Sequence, residues 1–337
     1  MVKHYFGIIC IVLLFMLAAC TSNKNPKDNN KEDRPIIDRD LSEILDDGVL
    51  NVVTTYSSTS YFLYRGQPMG YEYELLKRFA EHLGVEYKLE VSNDFETMHE
   101  MLMNGKVDLI AHGLTITGKR KELVQFSDYL YLTHQVLVQK KPDNWRKMKW
   151  SAVQNALIHD AIELIDDTVS VRANSSYLNR VENLMDEMGG TIYVDTLPGD
   201  LSTDKIIEMV STGEIKYTFA DNNIASINAS YYPNLDIRVP VSFSQRMAWA
   251  LRPNSDELLA ELNSWIDSMK NGVAYYVIYN KYFKNERSFK MRENSVFYSI
   301  NHNRISEYDD LIQTYADTIG WDWRLMASMI YQESRFN

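Results

Sequence analysis

The sequence is poor in cysteine and has no long run of basic residues. Only two of its 337 residues are cysteines, Cys10 and Cys20, and both lie among the first twenty. Beyond them no disulfide is possible, so packing has to stabilise the fold. The net charge is −11, and an acidic chain without a basic patch is a poor partner for nucleic acid or an anionic membrane surface. We therefore predict that the protein does not bind nucleic acid.

Several signatures of catalytic and cofactor sites are also missing. The sequence has no glycine-rich phosphate loop, no pair of histidines at metal-ligand spacing and no pattern of a serine nucleophile with histidine and aspartate. The seven histidines are scattered along the chain, and none of them is assigned a role. We predict neither a metal nor a cofactor.

The N-terminus carries an export signal. Lys3 precedes an apolar run over residues 5–19, which is short for a membrane span and typical of the core of a signal peptide. The run ends in Leu-Ala-Ala-Cys at positions 17–20, which resembles a bacterial lipobox. That resemblance implies cleavage before Cys20 and a lipid anchor on its sulfur, and Thr21 favours the outer membrane with the protein facing the periplasm. The alternative is an uncleaved N-terminal anchor with a chance cysteine.

The central part of the chain has the composition and the patterning of an α/β protein. Hydrophobic residues make up 45% and charged residues 24% of the chain, which is long enough for two or three compact units. Between residues 49 and 111, strand patterns alternate with helical patterns that end at Gly84 and Gly105. This alternation predicts a parallel sheet covered by helices. Ligands of such sheets bind beyond the carboxyl ends of the strands.

The segment after the third strand is the first candidate for a binding site. Apolar residues alternate with hydroxyl side chains over residues 113–117, and Arg120 follows three residues later. Hydroxyls, backbone donors and one guanidinium suit a carboxylate. The segment resembles the one with which periplasmic amino-acid-binding proteins hold the α-carboxylate of their ligand, and this resemblance implies that Gly113, Thr115 and Arg120 touch the ligand. The alternative for Arg120 is a solvated charge or a structural ion pair.

The same resemblance assigns ligand contacts in a second lobe. Arg172, Ser176 and Asp221 fall on contact positions of the family, and Asp221 matches the acid that binds the α-amine of the ligand. The alternative for Asp221 is a helix N-cap. Asn-Ser at positions 174–175 stands where the family commonly has Gly-Thr, and this difference weakens the case for a free amino acid as the ligand.

A carboxylate near the C-terminus lies on an apolar helical stripe. Glu333 follows Met329 by four residues and Ile330 by three, so all three share one face of a helix. A carboxylate held there is desolvated, which raises its pKa toward neutrality and suits it as a general acid for a glycosidic oxygen. The alternatives are an ion pair with Arg335 and exposure at the helix end.

The last residues also resemble a catalytic segment. Residues 305–337, above all Tyr-Gln-Glu-Ser-Arg-Phe-Asn at 331–337, are similar to the start of the lysozyme-like domain of soluble-type lytic transglycosylases. The resemblance implies that Glu333 is the catalytic acid and base. It would protonate the bond between N-acetylmuramic acid and N-acetylglucosamine, and the muramoyl 6-hydroxyl would then form a 1,6-anhydro product. One carboxylate suffices for this reaction, unlike the pair of ordinary glycosidases.

Together, the lipobox, the two-lobed pattern and the C-terminal segment resemble the membrane-bound lytic murein transglycosylase F family. This resemblance implies peptidoglycan glycan strands as the substrate, and a module that binds a muropeptide or amino-acid-like ligand and regulates the enzyme by closing. The match stops at Asn337, before the later motifs of the catalytic domain. We interpret that domain as truncated, with an inactive product as the alternative, and expect this chain to bind but not to cleave. The alternative function is a non-enzymatic amino-acid-type solute-binding lipoprotein of a transporter.

The expected fold is a two-lobed, periplasmic-binding-protein-like α/β fold followed by the beginning of an all-α lysozyme-like domain. Its predicted parts are a signal peptide and lipobox (1–20), a flexible tether (21–40), a solute-binding domain (41–284; lobe 1 about 41–138 and 239–284, lobe 2 about 139–238), a linker (285–304) and the start of a transglycosylase domain (305–337).

Overall fold

A computed structural model of the protein describes residues 37–293, 295, 297–300 and 304–336. The predicted signal peptide with Cys20 and positions 21–36 of the predicted tether lie outside the described residues. In the part that is described, no helix combines the length and the apolar character needed to cross a membrane.

Strands and helices alternate through most of the described chain. The strands are β1 (Val49–Thr54), β2 (Phe62–Tyr64), β3 (Gln67–Met69), β4 (Glu86–Val91), β5 (Leu109–Thr115), β6 (Gln125–Phe126), β7 (Tyr131–Thr133), β8 (Gln135–Lys140), β9 (Thr168–Arg172), β10 (Tyr193–Leu197), β11 (Tyr217–Asp221), β12 (Leu235–Asp236) and β13 (Gln245–Leu251). The helices are α1 (Leu41–Asp47), α2 (Tyr71–Leu83), α3 (Phe95–Met103), α4 (Gly118–Lys121), α5 (Trp150–Gln154), α6 (Ser176–Met188), α7 (Thr203–Thr212), α8 (Asn222–Tyr231), α9 (Asp256–Lys270), α10 (Val273–Phe283), α11 (Glu286–Glu293), α12 (Asp309–Ile319) and α13 (Trp323–Ser334).

The first lobe is built on one mixed sheet in the order β4-β1-β5-β13-β6, with β7 also paired to β13. β1 runs parallel to both β4 and β5, whereas the returning strand β13 is antiparallel to β5. Helix α2 packs its buried residues Leu75, Leu76 and Phe79 into the core of this lobe, and Gly84 ends it in the left-handed conformation that glycine adopts at low cost. The predicted parallel βαβαβ unit is confirmed.

The second lobe contains two small sheets. β8 lies between β11 and β12, and β9 pairs in parallel with β10. Because β8 begins at Gln135, the chain enters this lobe before the predicted limit at residue 138. The Val241 amide still donates to the Gln135 carbonyl, at 2.8 Å, so the chain also leaves it after residue 238. The predicted lobe limits were wrong by a few residues, because a strand that crosses between lobes belongs to the sheet with which it pairs.

Direct hydrogen bonds join the two lobes. The Ser58 hydroxyl and amide both donate to the buried carboxylate of Asp204 on α7, at 2.5 and 3.2 Å. Asn93 Nδ2 donates to the Asp200 carbonyl, at 3.2 Å. The cleft between the lobes is therefore narrow, and side chains from both of its walls reach one another.

Folded structure begins earlier than the predicted limit at residue 41. Arg39 donates from Nε to the fully buried Asp108, at 2.9 Å, and Asp40 caps α1 while accepting from the amides of Glu257 and Leu258 on α9. The last two tether residues therefore belong to the first lobe. The polar composition of this segment does not reveal the buried partners of Arg39 and Asp40, because those partners are distant in the sequence.

The predicted polar linker 285–304 was also wrong over its described residues. Residues 286–293 form α11, which packs against α8, and Phe289 and Tyr298 are buried in the core of the first lobe. The Ser299 hydroxyl accepts from the Leu63 amide, at 2.8 Å. Burial of these two aromatic side chains is strongly favourable and helps to hold this otherwise polar stretch against the lobe.

The two helical patterns predicted near the C-terminus are confirmed as α12 and α13, which pack together. Gly320 ends α12 in the left-handed conformation. Their shared apolar surface is open, however, since Leu325 and Met329 are 55% and 50% exposed. The end of α13 contacts the β2–β3 hairpin, where the Phe336 ring occupies the space of a side chain at Gly66.

Candidate functional site

The candidate binding site lies in the cleft between the lobes. All six predicted ligand-contacting residues lie around it: Thr115, Arg120 and Ser176 line one cavity, and Gly113, Arg172 and Asp221 line both this cavity and the one that adjoins it. The structure therefore brings together residues that are more than a hundred positions apart in the sequence.

Arg120 is positioned by the short helix α4 that follows β5. Thr117 caps this helix by accepting from the Arg120 amide, at 3.3 Å. The guanidinium lies 4.6 Å from the centre of the Phe95 ring and donates to the Thr115 carbonyl, at 3.2 Å. Among the described residues, no carboxylate lies within 4.0 Å of it, so the alternative of a structural ion pair is not observed. Burial, with a contribution from the positive charge of Arg172, lowers the pKa of Arg120 to about 10, so the side chain stays charged at neutral pH.

Thr115 and Ser176 meet across the cleft. The Thr115 hydroxyl at the end of β5 donates to the Ser176 hydroxyl at the start of α6, at 3.4 Å, and Gln135 Nε2 also donates to Ser176, at 3.2 Å. Asn174 has a φ of 54°, a left-handed conformation that asparagine tolerates better than most residues. This tolerance explains how asparagine can occupy a backbone conformation that favours glycine.

The neighbours of Gly113 leave no room for a side chain at this position. A side chain at this position would collide with the Tyr131 hydroxyl and come within 3.0 Å of Glu72 Oε1. Glu72 accepts from the Trp249 indole, at 2.6 Å. Burial raises the pKa of Glu72 to about 7, although Trp249 and the Gly113 amide, by donating to it, oppose the shift. A buried, titratable carboxyl therefore lies directly against β5, the strand that carries the predicted binding site for the ligand carboxylate.

Arg172 projects into the cleft from the end of β9. Its Nη1 donates to the carbonyls of Asn93 and Leu201, at 3.3 and 3.2 Å, and these carbonyls belong to opposite lobes. No carboxylate of the described chain lies within 4.0 Å of this guanidinium either. The cleft thus contains two arginines without acidic partners.

Asp221 provides the negative charge of the cleft. Its Oδ2 accepts from the Tyr177 hydroxyl, at 3.2 Å, whereas Oδ1 is buried without a hydrogen-bond partner in the described part of the chain. Burial raises the pKa of Asp221 to about 6, against the opposing effects of Tyr177, Arg120 and Arg172. Asp221 occupies the N-cap position of α8, but its side chain makes no capping bond. The capping alternative is therefore wrong, and Oδ1 remains available to a donor.

Two titratable residues that the sequence did not single out are His112, which lines the cleft, and Glu72, which lies behind Gly113. His112 Nδ1 lies 3.1 Å from the hydroxyls of both Thr55 and Ser60. Burial, together with Arg172 and Arg120, lowers the pKa of His112 to about 3, so the ring is neutral. The spacing of the histidines gives no indication that His112 belongs to the cleft. The position of Glu72, in contrast, could have been recognised from the sequence. It precedes Leu75 by three and Leu76 by four residues, and so lies on the apolar face of α2.

Glu333 lies apart from the cleft, near the end of α13. Its side chain is exposed, so the predicted desolvation of this carboxylate was wrong. The physical reason is that the described elements cover only part of the apolar stripe beside it, since Met329, four residues before Glu333, is 50% exposed. No ion pair joins Glu333 to Arg335 within 4.0 Å, so of the alternatives the structure has exposure at the helix end.

The amino-acid sequence is similar to those of known proteins. The family model described as "Bacterial extracellular solute-binding proteins, family 3" matches residues 49–285. The chain is 33% identical over 297 residues to a membrane-bound lytic murein transglycosylase F of Desulfosudis oleivorans, and covers 62% of that protein. It is 28% identical over 327 residues to the protein of that name from Shewanella sediminis, and covers 64% of it. These alignments include 88% and 96% of the present chain. The chain therefore spans less than two thirds of the length of either relative.

Solved structures match the two-lobed part. An ancestral arginine-binding protein bound to arginine superposes with a TM-score of 0.58 at 25% identity, covering 70% of this chain and 98% of that one. An amino acid ABC transporter substrate-binding protein from Streptococcus pneumoniae bound to L-arginine gives a TM-score of 0.58 at 21% identity, covering 73% of this chain and 98% of that one. Because the protein from Streptococcus pneumoniae is only 21% identical, that match shows similarity of the fold alone. The predicted two-lobed binding-protein fold is thus confirmed.

Proposed function

The chain belongs to family 3 of the bacterial extracellular solute-binding proteins, and from this premise we propose that its cleft binds an amino-acid-like ligand or a muropeptide fragment. The observation that carries the proposal is a complementary pair of groups among the described residues, a guanidinium without a counter-ion and a carboxylate with one oxygen free. Arg120 has no acidic partner within 4.0 Å on the described chain, and Asp221 Oδ1 has no donor. A ligand with one carboxylate and one ammonium group would satisfy both.

The roles of the other cleft residues follow from their positions. Thr115 and Ser176 offer hydroxyls beside Arg120, where the ligand carboxylate would bind. Gly113 lets the backbone of β5 approach the ligand, because no side chain fits at its position. Tyr177 orients Asp221 by donating to its other oxygen, at 3.2 Å.

The test is calorimetric titration of Arg120→Ala with a panel of amino acids and muropeptides. Loss of the guanidinium leaves a bound carboxylate without its charged donor, so the affinity should fall at least about 30-fold, since removing one member of such a pair costs about 2–5 kcal/mol. The exposed Arg78→Ala on α2 is the matched control and should bind normally. Equal affinities of Arg120→Ala and the wild type, with folding intact, would reject this site.

We further propose that the complete protein is a peptidoglycan lytic transglycosylase, with Glu333 as its catalytic acid and base. The names of its curated relatives support this assignment, as does the Gln-Glu-Ser-Arg-Phe sequence at positions 332–336. Glu333 would protonate the glycosidic oxygen between N-acetylmuramic acid and N-acetylglucosamine, and attack by the muramoyl 6-hydroxyl would give the 1,6-anhydro product. A general acid needs a desolvated carboxyl, so activity requires that bound glycan or further protein cover Glu333.

The packing of α8 supports a regulatory role for the binding module. Helix α8 begins directly after Asp221, and α11 packs against it on the path to α12 and α13. A ligand that pulls on Asp221 would therefore shift the helix that supports the C-terminal segment. Lobe closure of this kind is a common way to transmit binding.

For localisation, we propose a lipid anchor on Cys20 that holds the protein at the outer membrane, facing the periplasm. The second candidate function is a solute-binding lipoprotein of an amino-acid transporter. It is favoured by the likeness of the two lobes to the substrate-binding protein of an ABC transporter. Release of anhydro-muropeptides by the complete protein would decide for the enzyme.

A further inference from the structure

The charges of the cleft do not balance for an ordinary amino acid. Arg120 and Arg172 both line it, and Asp221 is the one carboxylate among the described lining residues. His112 is neutral, because burial and the two arginines lower its pKa to about 3. The site therefore has one positive charge more than it has negative charge.

A zwitterionic ligand would leave this excess in place. In the proposed binding mode its carboxylate pairs with Arg120 and its ammonium group with Asp221. Arg172 would then face the bound ligand with only two carbonyl oxygens, those of Asn93 and Leu201, as partners. A partly buried guanidinium without an anion is unfavourable in a narrow cleft.

We propose that the ligand carries a second acidic group, and that Arg172 is the residue that selects it. The inference rests on the proposed binding function and narrows its ligand to acidic amino acids or acidic peptide fragments. It also separates this cleft from that of an arginine-binding protein. An arginine ligand would place a third guanidinium near a single carboxylate, and like charges in a site of low dielectric repel strongly.

Calorimetry with ligands that differ by one charge tests the inference. The panel is glutamate and glutamine in both L and D forms, L-arginine, and the dipeptides L-alanyl-D-glutamate and L-alanyl-D-isoglutamine. The full chain should bind the better glutamate isomer about 10- to 150-fold more tightly than the matching glutamine, the range expected for one charge-assisted hydrogen bond. L-Arginine should be the weakest ligand.

Variants of Arg172 separate its charge from its contacts with the two carbonyls. Arg172→Gln should bring the ratio of glutamate to glutamine affinity close to one, whereas Arg172→Lys, which keeps the charge, should retain a clear preference for glutamate. Arg146→Gln makes the same charge change at an exposed position of the second lobe and should bind as the wild type does. Thermal unfolding of each variant verifies that it is folded.

Three outcomes would overturn the inference. Equal binding of glutamine and glutamate, or tighter binding of L-arginine, would reject the acidic ligand while leaving the proposed binding function intact. Loss of the preference in Arg172→Lys as well as in Arg172→Gln would mean that the two carbonyl contacts, and not the charge, set specificity. Failure of every amino acid, dipeptide and muropeptide to bind would reject the proposed binding function together with this inference.

Discussion

Ligand affinity should depend on pH through Asp221. In the free protein, burial raises the pKa of this carboxyl to about 6, from an ordinary value near 4. A ligand ammonium group binds the ionised form, so ligand binding favours loss of the proton. Affinity should therefore rise as the pH increases toward 7 and level off above it.

The magnitude follows from the ionised fraction of Asp221. With a pKa of about 6, roughly 9% of the carboxyl is ionised at pH 5 and nearly all of it at pH 8, and the apparent affinity scales with the competent fraction. The dissociation constant should thus be about tenfold higher at pH 5 than at pH 8, which corresponds to about 1.4 kcal/mol. Calorimetry from pH 5 to pH 8 at constant ionic strength measures this change. Glutamine serves as one of the ligands because its side chain does not titrate.

Two variants assign the effect to Asp221. Asp221→Asn should bind weakly at every pH and show no inflection near 6. Glu72→Gln removes a second buried carboxyl near the cleft that titrates close to neutral pH, with a pKa of about 7, and should leave the inflection in place. The reasoning would be refuted by a wild-type affinity that is flat between pH 5 and pH 8, or by an inflection that persists in Asp221→Asn.

Three further substitutions test packing and catalysis. Gly113→Ala should lower the free energy of unfolding by about 1–3 kcal/mol and weaken ligand binding, because its methyl group meets the Tyr131 hydroxyl; stability unchanged in denaturant titration would contradict this. Tyr298→Ala should lower the free energy of unfolding by about 3–5 kcal/mol, since Tyr298 is fully buried. Tyr315→Ala, at a residue 64% exposed, should change it little, and equal effects of the two substitutions would refute the packing of Tyr298 on the first lobe. In a protein with the complete transglycosylase domain, Glu333→Gln should abolish release of 1,6-anhydro-muropeptides detected by mass spectrometry, and retained turnover would reject its role as the acid.

The residues of the cleft could be predicted because they follow strands. The apolar patterns of β1, β4 and β5 determine a parallel sheet, and the hydroxyls and the arginine after β5 then lie at its carboxyl edge. Arg172 and Asp221 were identified through the resemblance to amino-acid-binding proteins, and both lie at the ends of strands, β9 and β11. Local pattern helps at such positions, because the end of a buried strand is set by the residues next to it in sequence.

The limits of the folded units could not be read in this way. Residues 285–304 look like a polar linker in sequence, yet Phe289 and Tyr298 are buried, and the polar residues Arg39 and Asp40 make structural contacts with Asp108 and α9. In both segments the partner is far away in the chain. Composition describes the average over a stretch of sequence, whereas burial depends on whether a few side chains pack against residues that are distant in the sequence.

Two glutamates show which properties followed from the sequence and which depended on the tertiary structure. Glu72 and Glu333 each lie three or four residues from apolar side chains on one helical face, and this spacing is a property of the sequence alone. Glu72 is buried because α2 packs that face against the sheet of the first lobe. Glu333 is exposed because the described elements leave much of the apolar face of α13 open, with Leu325 and Met329 55% and 50% exposed. A helical stripe marks which side chains can be buried together, but desolvation of a carboxylate requires a second surface to exclude water.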